Sequence, residues 1–220
     1  MTRSIWLTTL LAGLWLAGSG SAQAASVRFN VVDADGKVVA NAVLSVLVKG
    51  VRTQVAGAAG QPAQMAQMAQ MAQIAQMAQK DRQFEPQLLV IQTGTAVRFP
   101  NFDTVRHHVY SFSPLQRFEL KLYAATPVTP VLFDKAGVAV LGCNIHDRMQ
   151  AAIVVVDTPH FAVTDAGGAA TLALPAGEHR LMVWHAPMAD TGAQFERPLS
   201  VGAAAEQRLS VALPKSPGPP

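Results

Sequence analysis

A single cysteine, Cys143, occurs in the 220 residues, so the chain holds no disulfide of its own. Charge is also sparse. Asp, Glu, Lys and Arg make up 14% of the residues and leave a formal net charge of +3, or +2 once Arg3 is removed. That balance excludes the strongly basic surface that nucleic acid or another polyanion calls for. No apolar run after the N-terminus is long enough to cross a bilayer. Pairings that signal turnover are missing too: no proton-transfer dyad, no nucleophile beside a base, and no second metal set is legible, so no enzymatic activity is expected.

One apolar run does occur, from Ile5 to Ala17, after Arg3 and before Gly18-Ser19-Gly20-Ser21-Ala22-Gln23-Ala24. It is shorter than the roughly 20 residues of a bilayer span and ends in an Ala-x-Ala site, the build of a secretory signal peptide. Cleavage is expected after Ala24, and the mature protein in the periplasm. An unpaired thiol in that oxidising compartment needs a reason. The plain ones are a buried inert cysteine or an intermolecular disulfide.

The mature chain reads as all-β. Residues 27–32 and 42–48 form two strands around Asp33-Ala34-Asp35-Gly36-Lys37, whose Asp-Gly chemistry predicts a hairpin. Short strands then recur over residues 88–91, 96–99, 108–112, 131–133, 138–141, 151–156, 170–174 and 180–184, with turns at Gln92-Thr93-Gly94-Thr95, Thr164-Asp165-Ala166-Gly167-Gly168 and Pro175-Ala176-Gly177-Glu178. This is sandwich-like spacing. Between the first two strands and the rest, Gln64-Met65-Ala66 repeats with period three through Gln79. On an α-helix such a step walks backward around the axis, so the methionines make a spiral rather than a stripe. The tract reads as a helical or disordered linker. A Met-x-x-Met series also offers soft thioether ligands for Cu(I).

Copper held for electron transfer takes one thiolate, two imidazoles and a distant thioether. All four types occur here: His107 or His108, then Cys143, His146 and Met149. Cys143-x-x-His146-x-x-Met149 lies between two strands and forms a short loop able to turn three side chains toward one point. The fourth ligand has to come from another strand, because one loop cannot surround an ion. Taken alone, His146 reads as a surface histidine and Met149 as core. Their order beside a lone exported cysteine is what points to a site.

Phe84-Glu85-Pro86, Thr93-Gly94-Thr95, Phe99-Pro100-Asn101-Phe102-Asp103, His107-His108-Val109 and Gly142-Cys143-Asn144-Ile145-His146-Asp147-Arg148-Met149 together resemble the cupredoxins, the plastocyanin and amicyanin group, with the short ligand loop of amicyanin. More narrowly, His107 to Ser113 combined with Cys143 to Asp147 resembles the plastocyanin-like proteins labelled methylamine utilization proteins. The resemblance covers most of residues 80 to 190 and implies a Greek-key β-sandwich holding one mononuclear (type 1) copper ion. It maps the strand ligand to His107. Alternation along the strand agrees, since His107 shares a face with Val109 while His108 points away. Where many cupredoxins carry an asparagine this chain has His108, and the resemblance implies that His108 and Asn144 tie the two ligand segments together, with Asn101 in a similar supporting part. His108 as a plain surface histidine is the alternative. His160, His179 and His185 read as structural or exposed, with Trp184-His185 the pair to watch.

The segments around Asp33–Lys37 and from Thr164 to Gly177 resemble a carboxypeptidase-regulatory-like or prealbumin-like sandwich interrupted by the copper domain. The expected organisation is a signal peptide (1–24), the first strands of the flanking module (25–57), the linker (58–79), the cupredoxin domain (80–157), the rest of the module (158–213) and a disordered tail (214–220). A competing arrangement has residues 26–56 completing the copper domain's own sheet. The implied role is a periplasmic electron carrier that meets a c-type cytochrome or periplasmic dehydrogenase transiently. A copper chaperone or reservoir and a metal-free binding module are the rivals.

Overall fold

The computed structural model describes residues 24–50, 74–127, 129–186 and 194–214, and these contain β-strands but no α-helix. The strands are β1 (Ala25–Val32), β2 (Val43–Val48), β3 (Ile74–Gln76), β4 (Ala78–Lys80), β5 (Gln83–Glu85), β6 (Leu88–Gln92), β7 (Thr95–Arg98), β8 (His107–Ser111), β9 (Phe118–Tyr123), β10 (Val131–Phe133), β11 (Gly137–Gly142), β12 (Gln150–Val156), β13 (Phe161–Val163), β14 (Ala169–Leu174), β15 (Gly177–Trp184), β16 (Phe195–Val201) and β17 (Glu206–Ala212). Backbone pairing sorts them into two groups. The flanking strands build the sheets β14-β1-β17 and β13-β2-β15-β16, and the strands between them build β10-β7-β3, β6-β12-β11-β8-β9 and the ribbon β4-β5. Of residues 26–56, the described ones, 26–50, therefore add no strand to the inserted sheets.

Each group has its own core. Val27, Phe29 and Val31 alternate inward along β1 while Ser26 and Arg28 face water, the period-2 pattern of a strand buried on one face. They join Leu44, Val46, Leu181 and Val183 in one apolar cluster. A second cluster gathers Phe84, Val97, Phe99, Val109, Phe133, Leu141, Ile153 and Val155. β12 explains how the two meet. Ala151 to Val156 are all buried. Ile153 and Val155 belong to the inserted core, whereas Ala152, Val154 and Val156 belong to the flanking one. A strand with a core on each face has no reason to alternate, which is why this stretch is a continuous apolar run.

Two sequence expectations are corrected. The turn at Asp33 forms, with Asp33 Oδ1 accepting the N–H groups of Asp35 at 3.0 Å and Lys37 at 2.9 Å, but β1 and β2 are not a hairpin. β1 pairs with β14 and, in parallel, with β17, while β2 pairs with β13 and β15. Turn chemistry reverses a chain locally, whereas the hydrogen-bonded neighbour is decided by distant strands. The end of the Met-Ala-Gln tract is not linker either. Residues 58–73 lie outside the described residues, but Ile74 to Gln79 supply β3 and most of β4, and Met77 is fully buried in the inserted core. The signal peptide through position 23 and the tail beyond position 214 also lie outside the described residues.

Gly168 closes the Thr164–Gly168 turn with φ +72°, and a Cβ there would sit 2.7 Å from the carbonyl oxygen of Val31 and 3.1 Å from the amide nitrogen of Val39. Those two atoms are bonded to each other, the Val39 N–H donating to the Val31 carbonyl oxygen at 3.0 Å, so neither can move aside without loss of that bond. Gly168→Ala is expected to cost about 1–3 kcal/mol, read as a lower denaturant midpoint at unchanged slope.

Candidate metal centre

Two loops at one end of the inserted sandwich carry the site. The first leaves β7 at Phe99 and enters β8 at His107. The second leaves β11 at Cys143 and enters β12 after Met149. The second is built from two successive tight turns, with the His146 N–H 3.5 Å from the Cys143 carbonyl oxygen and the Met149 N–H donating to that of His146 at 2.9 Å. Each turn advances three residues, so the 143, 146 and 149 side chains come around to one side. Gly142 precedes them because the Tyr110 ring lies over it, where an added Cβ would be 2.7 Å from the tyrosine oxygen.

The structure brings His107, Cys143 and His146 together. Cys143 Sγ is 4.0 Å from His107 Nδ1 and 3.7 Å from His146 Nδ1, and the three donor atoms lie within 4.8 Å of one another. The two rings are 5.0 Å apart between centroids. His107 is 0% exposed and Cys143 4%, while His146 is half-buried. Met149 is buried in the same apolar cluster as Cys143 and shares a cleft with it and Gly142.

Nitrogen and sulfur ligands bind a first-row ion at about 2.0–2.3 Å, so an N and an S donor sharing one ion sit no more than about 4.3 Å apart. Both sulfur–nitrogen separations meet that limit with no rearrangement.

The register of β8 to β9 shifts between His107, opposite Tyr123, and Val109, opposite Leu120, so the extra residue lies on β9. Plain alternation along β8 puts His107 toward Cys143 and His108 on the opposite face. There His108 Nε2 lies 2.9 Å from Glu119 Oε1 and the ring packs on Tyr110. The carboxylate is within ion-pair distance but out of line with the ring N–H, and neither ring nitrogen forms a hydrogen bond. The bond from His108 to Asn144 expected from the sequence is therefore not made. Asn144 is exposed.

Asn101 shapes the first loop. Its Nδ2 donates to the carbonyl oxygens of Val105 at 2.8 Å and Tyr123 at 3.1 Å, and its Oδ1 accepts the Asp103 N–H at 2.9 Å. Asp103, which the sequence offered as the end of the Phe99–Asp103 motif but not as a site residue, lies 2.7 Å from His107 Nε2. The signal was present as an aspartate four residues before the histidine. Burial raises its pKa, but the Arg82 N–H, the His107 ring and the Asp81 N–H together outweigh it and hold the carboxyl below its usual range. Tyr123 donates its hydroxyl to the Phe99 carbonyl oxygen at 2.8 Å. Burial pushes its pKa well up and the nearby Cys143 adds to this, with a hydrogen bond to Gln79 opposing.

The remaining histidines serve the flanking module. His160 Nδ1 is 3.1 Å from the Ala173 carbonyl oxygen and His179 Nε2 is 2.8 Å from that of Pro175. Burial lowers the pKa of His185, with Asp33 opposing.

No protein-family model matches the chain, and no curated protein matches it. Solved structures do resemble it. A copper-containing nitrite reductase from Thermus scotoductus is 25% identical over 37% of this chain and 22% of its own, with a TM-score of 0.35; the present chain thus spans under a quarter of that enzyme. A purple cupredoxin from Nitrosopumilus maritimus is 22% identical over 37% of this chain and 99% of its own, with a TM-score of 0.34. A reduced amicyanin variant is 19% identical over 38% of this chain and 82% of its own, with a TM-score of 0.34.

Proposed function

We propose that this chain holds one copper ion between His107 Nδ1, Cys143 Sγ and His146 Nδ1, with the Met149 thioether as the weaker fourth ligand, and that it carries electrons singly in the periplasm. One thiolate, two imidazoles and a thioether make up the set that suits copper electron transfer. The observation that carries the reading is the pair of sulfur–nitrogen distances, 3.7 and 4.0 Å, around a buried cysteine that forms no disulfide. When bound, copper supplies a one-electron couple between Cu(I) and Cu(II).

The protein's own groups do the rest. Buried His107, Cys143 and Met149 exclude water from the centre. His146 is the ligand nearest solvent, and Phe102 (63% exposed), Ile145 (48%) and Val105 (37%) surface on the two ligand loops. An apolar rim of this kind fits a small transient contact with a redox partner, here a c-type cytochrome or a periplasmic dehydrogenase. Removal of residues 1–24 would leave β1 complete from Ala25, which supports export. The narrower likeness to methylamine utilization proteins, and that of the flanking strands to a carboxypeptidase-regulatory-like sandwich, belong to the same proposal and name no substrate.

Protein expressed to the periplasm and loaded with Cu(II) is expected to show an intense thiolate-to-copper visible band, a mononuclear EPR signal and a reversible redox couple. Metal uptake without a reversible couple favours the chaperone or reservoir. A colourless protein that binds no copper leaves a metal-free binding module.

A further inference from the structure

Resting on the copper reading, we infer that Asp103 is a positioning residue for the centre: its carboxylate holds the His107 ring with Nδ1 toward the metal and biases the site toward the oxidised ion. An ionised carboxylate only accepts hydrogen bonds, so at 2.7 Å from Asp103 Oδ2 the proton of a neutral His107 sits on Nε2. Nδ1, the atom that faces Cys143, is then left with a free lone pair. The choice of ring nitrogen is thus made by a neighbour that touches no other ligand.

The carboxylate cannot swing away. Oδ1 accepts the Asp81 N–H at 2.7 Å and Oδ2 accepts the Arg82 N–H at 3.0 Å. Both donors lie in the turn between β4 and β5, at φ +54° and +58°. Non-glycine residues seldom adopt that region, and here two in succession aim their N–H groups at one side chain. The loop is pinned from the other side as well. Asp103 N–H is held by Asn101, and Gln79 bonds through its backbone to Pro100 at 2.8 Å and to Phe102 at 2.8 Å. The last residues of the Met-Ala-Gln tract thereby fix the loop that aims Asp103, and through it a ligand ring that is wholly buried.

An anion hydrogen-bonded to a ligand imidazole raises the ligand's basicity, and its charge stabilises the higher oxidation state. Asp103→Asn keeps the size and removes the charge. The variant is expected to keep the thiolate–copper band, to bind Zn(II) about 10–100-fold more weakly, and to shift the Cu(I)-over-Cu(II) preference at least tenfold, which is a rise of about 59 mV for a one-electron couple. An unchanged potential together with unchanged Zn(II) affinity would reduce Asp103 to a loop-closing residue and overturn the inference while leaving the copper reading intact. Wild-type protein that shows no band overturns both. If the variant does not fold, long-range proton–nitrogen NMR of metal-free wild-type protein, above the histidine titration range, decides: an Nε2–H tautomer at His107 supports the inference and an Nδ1–H tautomer sinks it.

Discussion

Cys143→Ser is expected to abolish the visible band of the copper-loaded protein and to weaken Cu(II) binding by more than the ~10–100-fold that follows loss of an outer hydrogen-bonding partner. The band needs a sulfur anion bound to Cu(II), and a serine hydroxyl supplies neither the sulfur nor the charge. The same substitution should barely disturb the metal-free fold. The side chains are close in size, and the buried hydroxyl meets two imidazole nitrogens that now lie 3.7 and 4.0 Å from Sγ. A small relaxation gives it a partner, so the cost should stay near the ~1 kcal/mol typical of a single hydrogen-bond adjustment. Absorption titration with Cu(II), alongside denaturation of the metal-free proteins, separates the two effects. A variant that retains the band would show that the thiolate is not a ligand.

Ile153→Ala carries the largest expected effect on the fold, about 2–5 kcal/mol, from lost burial plus the cavity left behind. Ile153 is fully buried in the inserted core. Its neighbours Ala152 and Val154, on the same strand, face the flanking core, so the damage should not remain local. Trp184 makes this measurable. The other two of the three tryptophans, Trp6 and Trp15, lie in the expected leader, whereas Trp184 sits buried in the flanking core. Its fluorescence in the mature protein therefore reports unfolding of the module that the substitution does not touch. The denaturation midpoint read from Trp184 should fall together with that of the visible band of the copper-loaded variant. A Trp184 transition unmoved by Ile153→Ala would mean that the two modules unfold independently.

Legibility in the sequence followed the distance over which each feature is determined. The Cys143–Met149 loop could be read because its geometry is local: three-residue steps and two tight turns gather three side chains. The cores of β2, β6, β11 and β12 could be read from apolar composition, although the absence of alternation in β12 did not by itself disclose a core on each face. Weaker strands escaped notice. β9, with exposed Glu119, Lys121 and Leu122, and β16 and β17, with charged residues facing water, lack an apolar run. The Met-Ala-Gln repeat concealed β3 and β4 because its composition favours helix and only the partners β7 and β5 make it strand.

At the site, the sequence alone determined the donor types, their order and the compact loop that delivers Cys143, His146 and Met149. Only the tertiary structure decided which neighbours hold them. Glu119 rather than Asn144 lies beside His108, and a turn about twenty residues upstream clamps Asp103 against the His107 ring. The division has one physical cause. Turn and loop geometry is set by residues a few positions apart, whereas the hydrogen bonds that orient a ligand from behind join segments that meet only after the strands have paired.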